Sequence, residues 1–227
     1  MKTRTADLIS LAFVAASVLV AAFLYPDLPE QIPTHWNAAG EVDDYTPKPW
    51  GVIVLPAAAV FSWVLMKLIP VISPKGFRTD EFQGVVNVFQ VAFVSFMSII
   101  AVLVLLAAKG VGVAIGSIVP IGVGLLFIVI GNYMGKVRKN FFIGIRTPWT
   151  LASDEVWART HRLGGRLFML CGALLMLTAF WQESVLVVVW IVVALALSLV
   201  VYSYVLYRRI EGFPDDDGSP TPSTDNQ

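Results

Sequence analysis

Phe82–Ala108 reads FQGVVNVFQVAFVSFMSIIAVLVLLAA, a run of 27 residues without a single Asp, Glu, Lys or Arg. At 1.5 Å rise per residue it reaches about 40 Å as a helix, longer than the roughly 30 Å hydrocarbon core of a bilayer. Working outward, five more charge-free runs flank it: Leu8–Pro26, Pro49–Met66, Gly110–Gly135, Leu167–Gln182 and Ser184–Tyr207. The second extends to Ile72 if Lys67 snorkels to the interface. The fifth is short and takes Leu163–Arg166 as its first turn. The pattern predicts an all-α polytopic membrane protein with six transmembrane helices.

Composition agrees with the runs. Of 227 residues, 57% belong to the set AVILMFWYC and 14% are charged. The mean hydropathy is +0.74. Too few polar groups remain to cover a water-facing surface, which excludes a disordered chain and argues against a soluble globule. Lys+Arg and Asp+Glu both number 16, so the net charge is zero, but the cations are unevenly placed. With the N-terminus inside, Lys2, Arg4, Lys67, Lys75, Arg78, Lys136, Arg138, Lys139, Arg146, Arg159, Arg162, Arg166, Arg208 and Arg209 lie on the inner side. Only Lys48 and Lys109 lie outside. By the positive-inside rule both termini are cytoplasmic. Lys2 and Arg4 before an apolar run also resemble the start of a signal peptide, but no clean small-x-small site follows Tyr25-Pro26, and an uncleaved helix is expected. Tyr25, Trp50, Tyr133, Trp181 and Tyr207 fall near predicted helix ends, as an interfacial aromatic belt requires.

Three units follow: an N-terminal two-helix module over residues 1–72 with an extracytoplasmic loop at 26–49; a four-helix module over 73–210 with a cytoplasmic loop at 136–162; and an acidic tail, 211–227, expected to be disordered. In the fourth run Gly112, Gly116, Pro120 and Gly124 recur every four residues on one face. That face serves either close helix packing or, with the proline freeing the carbonyl four residues earlier, a hinge or groove. Asn87 and Gln90 share a face near the inner end of the third run and are expected to bond between helices.

No carboxylate, Lys or Arg lies near the middle of a helix, which argues against ion-coupled transport. No Walker loop, GxGxxG, GxSxG or HExxH is present. Cys171 is alone, so no disulfide or multi-cysteine metal site can form. His35 and His161 fall on opposite sides of the membrane and cannot share a site. His35 has Glu41, Asp43 and Asp44 near it in sequence, but one histidine among surface carboxylates is usually structural, and no metal or other cofactor is expected. Pro33, His35, Trp36, Asn37 and Gly40 suggest a compact turn. In the inner loop, Asn140, Gly144, Arg146, Thr147, Pro148, Trp149 and Thr150 form a dense knot. Ser153 then caps a helix with Asp154 and Glu155 in its first turn, and Trp157 and His161 four apart. Two readings stay open: an interfacial segment whose cations face lipid phosphates, or a cytoplasmic docking surface.

These two loops carry a family resemblance. LPEQIPTHWNAAGEVDDY (Leu28–Tyr45) is similar to the LP-x-x-IP-x-H-(W/F)-(N/D)-x-x-G-x-x-D signature of a small prokaryotic membrane domain. GNYMGKVRKNFFIGIRTPWTLASDEVWARTHRLGGR (Gly131–Arg166) closely resembles the signature region of the SdpI family, the immunity proteins against the sporulation-delaying toxin. The match spans roughly residues 5–207. The resemblance implies a multi-pass protein of a bacterial or archaeal plasma membrane that protects against a secreted peptide toxin, and that holds a cytoplasmic transcriptional repressor at the membrane when toxin is bound. It implies no catalysis and no direct nucleic-acid contact. Carried onto this chain, Pro33, His35, Trp36, Asn37, Gly40 and Asp43 become the toxin-facing candidates. Asn132, Asn140, Gly144, Arg146, Thr147, Pro148, Trp149, Thr150, Trp157, Thr160 and His161 become the inner signalling candidates. Besides toxin and repressor, membrane lipids are expected partners. Rival readings are a peptide or lipid exporter moving about Pro120, an interfacial enzyme using His161 and Arg146 with Asp154 or Glu155, and a packing subunit of a larger complex.

Overall fold

The computed structural model describes residues 1–74, 80–181 and 185–213. Lys75 and Arg78, counted above among the inner cations, lie outside the described residues. So do Gln182 and Glu183 and the tail beyond Phe213. The chain forms α1 (Thr3–Leu24), β1 (Gln31–Trp36), β2 (Val42–Pro47), α2 (Lys48–Ile72), α3 (Gln83–Ala108), α4 (Ile115–Met134), a short α5 (Pro148–Ala152), α6 (Asp154–Thr178) and α7 (Val185–Ile210). Among the described residues, five helices are long and apolar enough to cross a membrane: α1, α2, α3, α4 and α7. The fifth expected span is not a separate element. It is the second half of α6, continuous with the charged turns from Asp154 onward.

The helices face outward with Leu19, Phe23, Phe61, Val71, Trp190 and Leu197, a large apolar surface of the kind that meets a membrane or another apolar partner rather than water. Inward they turn small or polar residues. On α1 the buried positions are Ala6, Ser10, Ser17, Ala21 and Leu24, spaced by three, four or seven, so one narrow face meets the bundle. α3 packs chiefly along α1 and α2, and α4 chiefly along α6; α3 and α4 touch more lightly, and α7 lies against α6.

The α4–α6 contact is the closest. A Cβ at Gly131 would come 2.5 Å from the Gly165 carbonyl oxygen, and one at Gly165 would come 2.5 Å from that of Gly131. Gly124 and Gly172 repeat the arrangement one heptad along, also at 2.5 Å. Two antiparallel helices thus meet backbone to backbone at paired glycines, the approach that small residues permit within membranes. Of the four-residue series expected to share a face, only Gly124 lies in this seam. Gly112 precedes α4 with open space around it, and Gly116 and Pro120 line a cleft elsewhere. The C-terminal end of α4 carries Tyr133, whose ring centroid lies 4.9 Å from the Lys136 ammonium.

The all-α expectation needs one amendment: the outer loop is an antiparallel two-stranded hairpin. β1 and β2 pair Gln31 with Pro47, Ile32 with Thr46, and Trp36 with Val42, with irregularities on either side of His35. Ile32 is fully buried in a cluster with Ala21, Leu24, Val52, Val104 and Leu105. It seats directly on Gly51 of α2, where any Cβ would come 2.6 Å from its own. Lys48 fixes the hairpin's base: its Nζ donates to the Leu28 carbonyl at 2.9 Å and lies 4.8 Å from the Tyr25 ring.

Candidate functional site

The two motif loops sit at opposite ends of the helices. The hairpin lies over the start of α4, and the inner knot lies against its end, where Met134 and Ile130 share a small cavity with Gly144 and Ile145.

The hairpin tip is built by Asn37. Its side-chain oxygen accepts the N–H groups of Ala39 at 2.9 Å and Glu41 at 3.0 Å, and its own N–H donates to the Glu41 carbonyl at 2.9 Å. Gly40 takes φ +78°, a left-handed conformation suited to glycine. His35 Nδ1 lies 2.5 Å from Asp43 Oδ1 on the exposed face. Glu41 and Asp44 make no ion pair among the described residues; Asp44 accepts the Tyr45 N–H at 2.8 Å. Pro33 is buried, and Trp36 is half-buried against the Ile32 cluster. Beneath the tip opens a cleft of about 550 Å³.

The inner knot is held by saturated polar side chains. Asn140 is fully buried. Its oxygen accepts the N–H groups of Phe142 at 2.8 Å and Ile143 at 2.7 Å, and its amide donates to the carbonyls of Arg138 at 2.8 Å and Ile143 at 3.0 Å. All its hydrogen-bonding capacity is spent folding one loop. Thr147 caps α5: its hydroxyl accepts the Thr150 N–H at 3.2 Å, and its N–H donates to the Thr150 hydroxyl at 2.9 Å. Pro148 fills the first helical position, where a missing N–H costs nothing. The Thr147 hydroxyl also lies 3.0 Å from that of Ser203, tying α5 to α7, and Trp149 meets Tyr204 edge-on at 5.1 Å. Ser153 caps α6 by accepting the Val156 N–H at 3.4 Å.

At the centre stands His161, fully buried and stacked on Trp157 with ring centroids 4.0 Å apart. Its Nδ1 lies 2.8 Å from the Trp157 carbonyl, and its Nε2 receives the Ile145 N–H at 3.0 Å. Those two partners assign the neutral tautomer with the proton on Nδ1. Burial pushes its pKa down to about 4, against the smaller opposing effect of the Trp157 hydrogen bond. Trp157 Nε1 donates to the Val137 carbonyl at 2.8 Å. Gly144 adopts φ +116°, and a Cβ there would run into His161 Nε2. Thr160 is buried, its hydroxyl without a hydrogen-bond partner among the described residues. Arg146 is exposed and closes the loop by donating to the Phe141 carbonyl. Asn132 is exposed on α4, away from the knot's interior. Sequence reasoning did not single out Ile145, Val137 or Ser203, since two of them act through backbone atoms that any residue supplies.

A third polar group joins the start of α1, the end of α2 and the start of α3. Asp7 accepts from Lys67 Nζ at 2.8 Å, Trp63 Nε1 at 3.1 Å and Gln90 Nε2 at 3.2 Å. Gln90 also donates to Ser10 at 3.1 Å, and Asn87 donates to the Met1 carbonyl and the Thr3 hydroxyl, both at 3.1 Å. Asn87 and Gln90 thus bond between helices, as expected. Lys67 does not snorkel freely; it is paired with Asp7.

Residues 136–207 match the SdpI/YfhL protein family, and residues 12–60 match a domain of unknown function (DUF1648). The first stretch contains most of the inner knot and the second contains the hairpin. Over 209 residues the chain is 28% identical to the immunity protein SdpI of Bacillus subtilis (strain 168), covering 91% of this chain and 98% of that protein. The chain resembles the SdpI family along most of its length. No solved structure matches it.

Proposed function

We propose that the chain is an immunity protein of the plasma membrane, protecting its cell from a membrane-active peptide toxin by stoichiometric binding rather than turnover. The observation that carries this reading is the similarity to immunity protein SdpI over nearly the whole of both chains. The two loops that suggested the family are each held by several side-chain hydrogen bonds, centred on Asn37 in one and on Asn140 and Thr147 in the other. In this reading the chain crosses the membrane six times with both termini cytoplasmic. Support for the sixth crossing comes from α6 running beside α4 from Gly165, opposite Gly131, to Ala179, whose carbonyl accepts the Ser117 hydroxyl at 3.2 Å. That stretch matches the depth of a helix long and apolar enough to span.

The modules divide the work. Residues 1–72 present the toxin-facing hairpin, with Pro33, His35, Trp36, Asn37, Gly40 and Asp43 as its working residues. Residues 73–210 carry the inner knot, which passes occupancy on to a cytoplasmic repressor. His161, stacked and doubly hydrogen-bonded, is a fixed structural pivot of that knot rather than a catalyst, and Arg146 is its exposed contact. The test is survival of a sensitive host challenged with a sporulation-delaying-type peptide. Wild type protects, and a His35→Ala/Arg146→Ala variant present at equal membrane level does not. Equal protection by the variant overturns the site assignment, and no protection by wild type overturns the immunity reading.

A further inference from the structure

Beside the inner knot, the ends of α3, α4 and α6 enclose a polar cleft of about 420 Å³, within the size range of sites that hold small ligands. Glu81 lines it just before α3, Arg138 and Lys139 just after α4, and Asp154 and Trp157 from the first turn of α6. Four charged side chains thus share one cleft, two of each sign. Lys139 and Asp154 neutralise each other, with Nζ 2.8 Å from Oδ1. Arg138 and Glu81 do not: both are exposed, and neither makes an ion pair among the described residues. They are therefore held apart across the same cleft, and the backbone keeps them so. The carbonyl of Val137 accepts Trp157 Nε1 at 2.8 Å, and the carbonyl of Arg138 itself accepts the Asn140 amide at 2.8 Å. On the other side, Phe82, the neighbour of Glu81, is buried in one cluster with Val137 and Trp157. A ligand with a single charge satisfies one of the two residues and is repelled by the other; a zwitterion satisfies both.

The cleft lies where the charge-free runs of α3 and α4 end, which is the level of lipid headgroups for helices long and apolar enough to cross a bilayer. We propose that it binds the headgroup of a zwitterionic phospholipid with a primary ammonium, a phosphatidylethanolamine, with the phosphate on Arg138 and the ammonium on Glu81. The proposal rests on α3 and α4 crossing the bilayer and goes beyond the immunity reading. The planar guanidinium suits a phosphate, which it meets with two N–H groups. Glu81 accepts from the ammonium. A phosphatidylcholine offers no such donor, because its methylated nitrogen carries no N–H. A phosphatidylglycerol brings a phosphate for Arg138 but nothing cationic for Glu81. Lys139, already paired with Asp154, adds no net charge to the site.

The test is native mass spectrometry of the full chain, released from detergent micelles that hold equimolar phosphatidylethanolamine, phosphatidylcholine and phosphatidylglycerol with identical acyl chains. The expected result is one retained lipid per chain, with phosphatidylethanolamine favoured about fivefold over each of the others. Arg138→Gln lowers retention of all three lipids. Glu81→Gln leaves phosphatidylethanolamine and phosphatidylglycerol equal. Both side chains are exposed, so the fold should tolerate either change, and an unaltered melting temperature in lipid-free detergent verifies it. Asp44→Asn, in the hairpin at the opposite end of the helices, keeps the preference. Equal retention of the three lipids, a preference for phosphatidylglycerol, or a phosphatidylethanolamine preference that survives both variants overturns the proposal. Soluble phosphoethanolamine separates a lipid from a free zwitterion: it should displace the lipid only in large excess, and displacement at equimolar concentration assigns the cleft to the soluble compound and also overturns the proposal. The outcome is separable from protection, since a chain that selects this lipid but protects no host keeps the cleft and loses the immunity reading.

Discussion

The Nε2 atom of His161 accepts the backbone N–H of Ile145 at 3.0 Å, joining α6 to a loop residue sixteen positions earlier. The bond needs a neutral ring, and the packing enforces one: with its pKa near 4, the buried imidazole resists the proton that a solvated histidine would take near 6.5.

The pH dependence follows from that depression. As pH falls, the unfolded chain protonates first, so the contribution of His161 to stability is complete above about 6.5 and is lost progressively as pH drops toward 4. Unfolding in detergent should shift to lower denaturant between pH 7 and pH 4.5 in the wild type. A His161→Gln variant should be less stable at pH 7 by about 1–3 kcal/mol and show a shallower pH dependence over the same window. Parallel profiles for the two proteins would assign the acid sensitivity to other groups.

Gly144 is tested by a single methyl. Gly144→Ala forces a Cβ onto His161 Nε2 at a backbone angle that side chains avoid, and should lower stability by about 2 kcal/mol or more. Gly112→Ala, which meets open space, is the matched control and should be nearly silent. Thermal melting of both variants, with intrinsic tryptophan emission as the readout, decides the comparison.

The glycine seam makes a similar prediction within the bilayer. Gly131→Ala and Gly172→Ala each push a methyl against a backbone carbonyl that has no rotamer to escape by. Each should cost about 1–3 kcal/mol in an unfolding titration from mild detergent into sodium dodecyl sulfate. Gly110→Ala has space around it, but its φ of +87° makes it a poor control.

Asp7 and Lys67 should behave as a unit. Asp7→Leu alone strands the ammonium and the donors of Trp63 and Gln90, and should cost more than the double variant Asp7→Leu/Lys67→Met, with a coupling energy of about 1 kcal/mol. Strictly additive single variants would mean that the pair does not hold the three helices.

Much of this was legible in one dimension. The charge-free runs mark the long helices because a bilayer removes the option of exposing charge, and the Ser153 cap and the Trp157–His161 spacing place the start of α6 correctly. The hairpin was harder to see. Its turn chemistry, Asn37 and Gly40, is visible, but Pro33 and Pro47 disguise the strands, and pairing is a property of two segments at once. The glycines show the same limit: a four-residue period says which residues share a face, not which face another helix approaches, and the closest contacts fell on the seven-residue pair Gly124 and Gly131. Asp7 and Lys67 escaped notice as a pair because each sits at the edge of its own apolar run, sixty residues apart in sequence. In the inner loop the residue types were recognised, but their burial was not. That Asn140 is saturated internally while Arg146 is exposed depends on how the loop folds back on itself.

The paired glycines of α4 and α6 have a consequence for biosynthesis. α6 opens with Asp154, Glu155, Arg159, Arg162 and Arg166 before its apolar half begins, so as an isolated segment it enters a bilayer reluctantly. α4 has no charge at all. With the knot as the bend between them, the two form a helical hairpin whose second limb packs backbone to backbone on the first at the paired glycines. A variant that fills Gly131 or Gly124 is then expected to lose more than fold stability: part of the newly made protein leaves the apolar half of α6 uninserted, on the side of its own charged first turns, which protease protection of membrane vesicles would detect.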